Sequence, residues 1–209
     1  MYLRESAYMK GKPDSIKAQH HNYRRVGWQE SAAQNNFRRV IAAAILPGQF
    51  CNHKINYIPE CNSSISLELL LCLLNSKLSD WMFRLQSASA AVSHYQVLNL
   101  PAPTFVKAEG ETPQASHVNG NWIEVAERIG SKLPGNGLMA DDGARFLEDC
   151  SSRIQEIERK RDLRARSERS ELANESQIIQ DAVDRIIFRC FGFSGSDGGY
   201  IELRLKEML

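Results

Sequence analysis

What the chain has little of narrows it first. Its five cysteines, Cys51, Cys61, Cys72, Cys150 and Cys190, are scattered and odd in number, with no CxxC pair. That pattern argues against a disulfide framework and leads us to expect a reduced, cytoplasmic chain. Cys72 and Cys190 fall inside apolar helical patterns, where a thiol packs as a small hydrophobe. Cys51, His53 and Cys61 match no standard zinc ligand set and lack a fourth donor, so no metal is expected. Long hydrophobic runs are missing too. The longest, Leu69 to Leu74, falls far short of the ~20 residues a membrane span needs. Met1 to Gly11 is polar and broken, unlike a secretory leader, so the expectation is no membrane.

Catalytic signatures are also lacking. No GxGxxG opens a strand-turn-helix unit, and there is no GxxxxGK[ST] phosphate loop, no HExxH, no GxSxG and no convincing carboxylate pair. Pro13-Asp14 followed by Lys17 has the outline of a nuclease half-site, but without an acid-x-lysine strand. An autonomous metal-dependent nuclease centred on Asp14 is kept only as a third alternative. By itself the chain is not expected to be an enzyme.

What is present is ordinary globular material: 209 residues, 43% hydrophobic and 24% charged, enough for a real core. The net charge of +1 speaks against a generic polyanion binder. Charge is uneven, however. Residues 1–39 hold eight cations (Arg4, Lys10, Lys12, Lys17, Arg24, Arg25, Arg38, Arg39) against three acids (Glu5, Asp14, Glu30), with His20 and His21 beside them. Such a patch either sits against phosphates or forms a solvated face.

Along the chain, residues 1–22 read as an irregular N-terminal segment broken by Gly11 to Asp14. "YRRVGW" (Tyr23 to Trp28) reads as a short strand. "RRVIAAAIL" (Arg38 to Leu46) is strand or helix, stopped by Pro47-Gly48. "FCNHKINYI" (Phe50 to Ile58) alternates and reads as a strand, pairing antiparallel with its predecessor across the Pro-Gly turn. Asn62, Ser63, Ser64 and Ser66 are candidate N-caps, with Glu68 in the first turn. Leu67, Leu70, Leu71, Leu74, Leu78, Trp81, Met82 and Leu85 then recur at helical spacing and predict one helix with one strongly buried face. Asn75 and Lys77 fall within it, and Asn75 is expected to bond a neighbouring loop. His94 and Tyr95 fall in a loop, and Pro101 and Pro103 lock an extended exit.

Residues 107–142 are rich in Gly, Pro and Asn and read as a linker or variable insertion with an amphipathic island from Trp122 to Ile129. Residues 143–209 read as a helical C-terminal region. One apolar stripe holds Phe146, Leu147, Cys150, Ile154 and Ile157. A second holds Ile179, Val183, Ile186, Ile187 and Cys190. Between them Glu158 to Glu171 is almost devoid of apolar residues, the mark of an exposed or bridging helix.

Three blocks then stand in a telling order: "YRRVGWQESAAQNNFRRVIAAAILPGQFCNHKINYI" (Tyr23 to Ile58), "LLLCLLNSKLSDWMFRL" (Leu69 to Leu85) and "HYQVLNLPAP" (His94 to Pro103). Together they resemble the C-terminal target-recognition region of adenine-specific DNA methyltransferases of restriction-modification and phage-defence systems. Leu-Asn-Ser-Lys (Leu74 to Lys77) with Trp81 and Arg84 downstream is the most distinctive part. "QDAVDRIIFRCFGFS" (Gln180 to Ser194) is similar to their end helix, although Cys190-Phe191-Gly192-Phe193 replaces the usual Leu-Tyr-Gly-Leu.

The resemblance implies an α+β fold: a small mixed α/β target-recognition domain over 23–106, followed past 107–142 by a long C-terminal helical segment over 143–209. It implies a DNA sequence-recognition (specificity) module without its own catalytic core, since the cofactor-binding glycine motif and the (N/D)PP(Y/F) tetrapeptide are missing from the chain. The implied partners are double-stranded DNA and a methyltransferase catalytic core, in cis or in trans; S-adenosylmethionine would bind that missing core and no cofactor binds this chain. Candidate DNA contacts are Arg24, Arg25, Arg38 and Arg39 for phosphate, and Asn52, His53, Lys54, Asn56, His94 and Tyr95 for base edges or backbone, held on a leucine-backed support. The alternative from another class is a helical protein-interaction module that docks through the Ile154/Ile157 stripe and never touches DNA.

Overall fold

The fold starts from three short strands in a computed structural model that describes residues 9–12, 16–106, 120–162 and 166–208. Asp14 and the first part of the expected linker or insertion, 107–119, lie outside the described residues. Strand β1 (Arg25–Gln29) lies within and just beyond the YRRVGW block, and β2 (Ala42–Ile45) forms from the alanine-rich block. Period-two burial decides the latter: Val40, Ala42 and Ala44 turn inward while Ile41 and Ala43 stay exposed. Strand β3 (Ile55–Pro59) completes an antiparallel sheet in the order β2-β1-β3, with Gly27 opposite both Ala43 and Tyr57.

Two expectations change here. The strands on either side of Pro47-Gly48 do not pair with each other; both flank β1. Gly48, at φ +78°, donates its N–H to His21 O at 2.8 Å, which ties the connection to a 3-10 turn over Ile16–Asn22 instead of closing a hairpin. The strand expected from Phe50 begins only at Ile55. Asn52 Oδ1 accepts the Lys54 N–H at 2.9 Å, and a turn consumes the intervening residues.

The predicted Leu67–Leu85 helix is two helices, α1 (Leu67–Leu74) and α2 (Lys77–Gln86). Ser66 caps α1 by accepting the Leu69 N–H, and Ser76 caps α2 by accepting the Ser79 N–H at 3.1 Å. Leu-Asn-Ser-Lys is therefore a joint: the end of one helix, its C-cap, the next N-cap, and the first residue of α2. The expected single buried face is also corrected. Leu67, Leu71 and Leu74 pack with Val26 and Trp28 against the sheet, while Leu69, Cys72 and Leu73 belong to a second core built from the C-terminal helices.

His94–Leu98 forms a short helix, α3, where a loop was expected; Ser93 and Gln96 close a capping box at its start. Pro101 and Pro103 then lead into β4 (Thr104–Val106). Residues 120–142, expected to be linker or variable insertion around an amphipathic island, hold α4 (Trp122–Gly130) on that island and β5 (Leu138–Ala140), which pairs parallel with β4. Their Ala126, Ile129 and Met139 enter the helical core, so this stretch is structural packing.

Two long helices, α5 (Asp141–Asp162) and α6 (Arg166–Cys190), pack side by side and carry the two apolar stripes into that core. Arg153 bridges them to Glu175 at 2.6 Å. The polar run Glu158 to Glu171 spans their junction. A final helix, α7 (Gly195–Glu207), follows Gly192 at φ +81°. A Cβ there would stand 2.2 Å from Gly135 O, so the departure within Phe191-Gly192-Phe193 still keeps the one residue the approach demands. The chain is α+β, with a small mixed domain and a long helical C-terminal part. No helix among the described residues is long and apolar enough to cross a membrane.

Candidate nucleic-acid interface

The candidate side chains sort into two groups. The arginines serve as internal ties. Arg39 is 1% exposed: its backbone N–H donates to Asp80 Oδ1 at 2.6 Å, its guanidinium donates to Ser89 O and lies over the Phe83 ring. Arg25, 3% exposed, donates to Gln49 O and lies 5.3 Å over Tyr57. Burial removes both from any surface a phosphate reaches, so the reading of them as phosphate contacts is set aside. Arg24 is engaged by Glu68 and Glu60, and Arg38 donates to Asn75 O. Burial, with Arg84 adding to it, lowers the Arg39 pKa against the pull of Asp80.

The second group converges. Asn52, His53, Asn56 and His94 line one groove of about 1040 Å³ beside the outer edge of β3. Asn52 and His53 are exposed at its lip. Asn56 is half-buried, and its Nδ2 donates to Val92 O at 3.2 Å, which leaves Oδ1 as its accepting end. His94 stacks on Trp28 with ring centroids 5.4 Å apart and 23° between planes. Trp28 itself is core, its Nε1 donating to Val92 O. A wholly buried indole therefore fixes an exposed imidazole at the mouth of the groove. Lys54 stands beside the groove and pairs with Glu30 at 3.0 Å on the surface, a weak pairing in water. Tyr95 is 78% exposed on α3, one residue past His94.

The groove also contains residues that the sequence reading left in irregular segments. Lys17 and His20 come from the 3-10 turn, and Asn62, Ser63 and Ser64 from the connection to α1. The available signal was the basic local charge around His20 and His21. His20 is buried and neither ring nitrogen has a hydrogen-bond partner among the described residues. Burial, then Arg25 and Lys17, lower its pKa, which favours the neutral ring. Its partner His21 instead stacks on Phe50.

Among the described residues no Asp or Glu lines the groove, whereas Lys17 does. Its floor includes Ile55, Ile58 and Leu70, the last from α1, so leucine packing lies directly behind the polar lip. Among the described residues no cluster of three His, Cys, Asp or Glu side chains is placed to share a cation.

Comparison with protein-family models, with curated proteins and with solved structures finds no match to this chain.

Proposed function

We propose that the chain is a DNA sequence-recognition module of an adenine-specific DNA methyltransferase or restriction-modification system, acting with a methyl-transfer core that resides elsewhere. The observation that supports this reading is a groove that no Asp or Glu lines among the described residues: amide and imidazole side chains from β3, the preceding turn and α3 meet on an apolar floor. Asn56 offers its accepting Oδ1 and Asn52 its donating amide nitrogen, so the two residues together present both functions that base edges require, and Lys17 and Lys54 supply charge for the backbone. Arg84, from the Trp-x-x-Arg pattern, joins buried Asp80 at 2.9 Å and donates to Gln34 O and Asn36 O, fixing the loop that precedes Arg39.

The interaction-module alternative draws less support, because Ile157 is fully buried inside the chain and Ile154 packs on the same core. The deciding experiment measures duplex DNA binding by the purified chain, alone and with a methyl-transfer core, as salt is raised. The expected outcome is affinity that falls steeply with salt as counterions are released. Salt-independent behaviour with no DNA binding under either condition overturns the proposal.

A further inference from the structure

On the opposite side of the sheet, β2 is an edge strand, and it is recessed. A cleft of about 540 Å³ separates it from α5 and α6, lined by Leu46, Leu71 and Ile154 among apolar side chains. Peptide groups two residues apart in a strand point to the same side. Ala42, Ala44 and Leu46 therefore all aim their N–H and C=O away from β1. At Ala42 the outward groups are taken: Asn75 Oδ1 accepts its N–H at 3.0 Å and Asn75 Nδ2 donates to its C=O at 2.9 Å. At Leu46 the outward N–H donates to Gln49 Oε1 at 2.9 Å. Between them, Ala44 has no outward partner among the described residues.

We infer that this recessed edge takes one short, extended, acidic peptide segment as an added strand, a single guest residue exchanging two backbone hydrogen bonds with Ala44. The edge is unsuited to a second folded copy of the chain, because the walls of the cleft stand in front of it and side-chain amides already fill the rungs on either side. A lone extended segment avoids both obstacles, and main-chain pairing at an open edge is a general mode of peptide capture. Charge identifies its chemistry. Of the ionic side chains lining the cleft, Glu158 already has a surface partner in Arg161 at 3.1 Å, whereas exposed Arg159 makes no ion pair among the described residues. A carboxylate at the end of the guest segment meets that guanidinium. This inference is independent of the DNA reading, since the cleft and the groove share no lining residue.

The test uses the full chain and a fluorescent synthetic peptide of alternating valine and threonine ending in aspartate. Anisotropy is expected to show saturable binding. N-methylation of the peptide's central residue, which deletes one of the two bonds, is expected to weaken it about tenfold. Ala44→Pro removes the protein's outward N–H and is expected to weaken binding similarly, with circular dichroism reporting its fold. Arg159→Glu should reverse the preference toward a lysine-ended peptide, and exchange of the Ala44 amide should slow when the peptide binds to the unaltered protein. No binding of the unmethylated peptide, or binding indifferent to backbone methylation in the unaltered protein, overturns the inference.

Discussion

Lys77 meets Asp184 twice: its backbone N–H donates to Oδ1 at 2.8 Å, and its ammonium lies 3.6 Å from Oδ2. The same ammonium reaches Asp181 at 3.0 Å and Glu202 at 2.8 Å, so the first residue of α2 is bound to α6 and α7 together. Burial works against the charge on Lys77, but the three carboxylates, Asp184 foremost, outweigh it and hold the pKa above the usual lysine value. Lys77→Met keeps the apolar stem and leaves Asp184, 2% exposed, without its counter-ion. The expected cost is about 3–5 kcal/mol, read from urea denaturation.

The Asp184 carboxyl should also imprint a pH dependence. Burial pushes it up to about 6, because its attraction to an ammonium shared among three acids does not recover the lost hydration. Its folded pKa thus lies above the unfolded one. The associated stability is complete below the ordinary carboxylate range and is lost as pH rises through about 6. Asp184→Asn retains an acceptor for the Lys77 N–H and abolishes that titration. Its urea midpoint is expected to lack this decline, and a curve parallel to the parent's would show that another group is responsible.

Asn75 tests the joint between α1 and α2. Asn75→Ala deletes both bonds to Ala42 and is expected to cost about 2 kcal/mol, taking roughly 1 kcal/mol for each bond. Asn75→Asp preserves only the acceptor and should fall between the two in thermal denaturation.

For the groove, Asn52→Ala and His53→Ala should each flatten discrimination between duplex sequences by about 1–3 kcal/mol, His53→Ala with little change in melting and Asn52→Ala with a loss of about 1 kcal/mol for its bond to the Lys54 N–H. Lys54→Ala should reduce the salt slope by about one and leave sequence preference intact. Arg39→Ala, by contrast, should lower the melting temperature, since it vacates a buried site. Competition binding at several salt concentrations alongside calorimetry separates these outcomes.

How much of this was legible beforehand depended on whether the signal was local. The leucine periodicity of α1 is written in spacing and placed a helix there, whereas the Arg38 to Leu46 block stayed open between strand and helix until the burial of Val40, Ala42 and Ala44 decided it. The break at Asn75-Ser76 was not legible, because apolar spacing runs on through it; only the bond from Asn75 to a strand far away in sequence turns a helical residue into a cap. The structural role of 120–142 was hidden for a similar reason. Its Gly and Pro content announces turns, and the burial of Met139 against α5 is long-range. At the candidate site, Asn52, His53, Asn56 and His94 were visible as polar side chains beside an apolar support, yet nothing in the sequence put Lys17 or His20 with them. Arg25 and Arg39 misled because a guanidinium on the surface and one folded into a core are the same letter.

Helix α1 gives one set of leucines to the sheet and another to the C-terminal helices. Neither layer can shed its share without stripping a wall from its neighbour. Melting should accordingly proceed as one cooperative event instead of two staged ones, and a cut that separates the strands from the long helices should leave neither piece able to stand by itself.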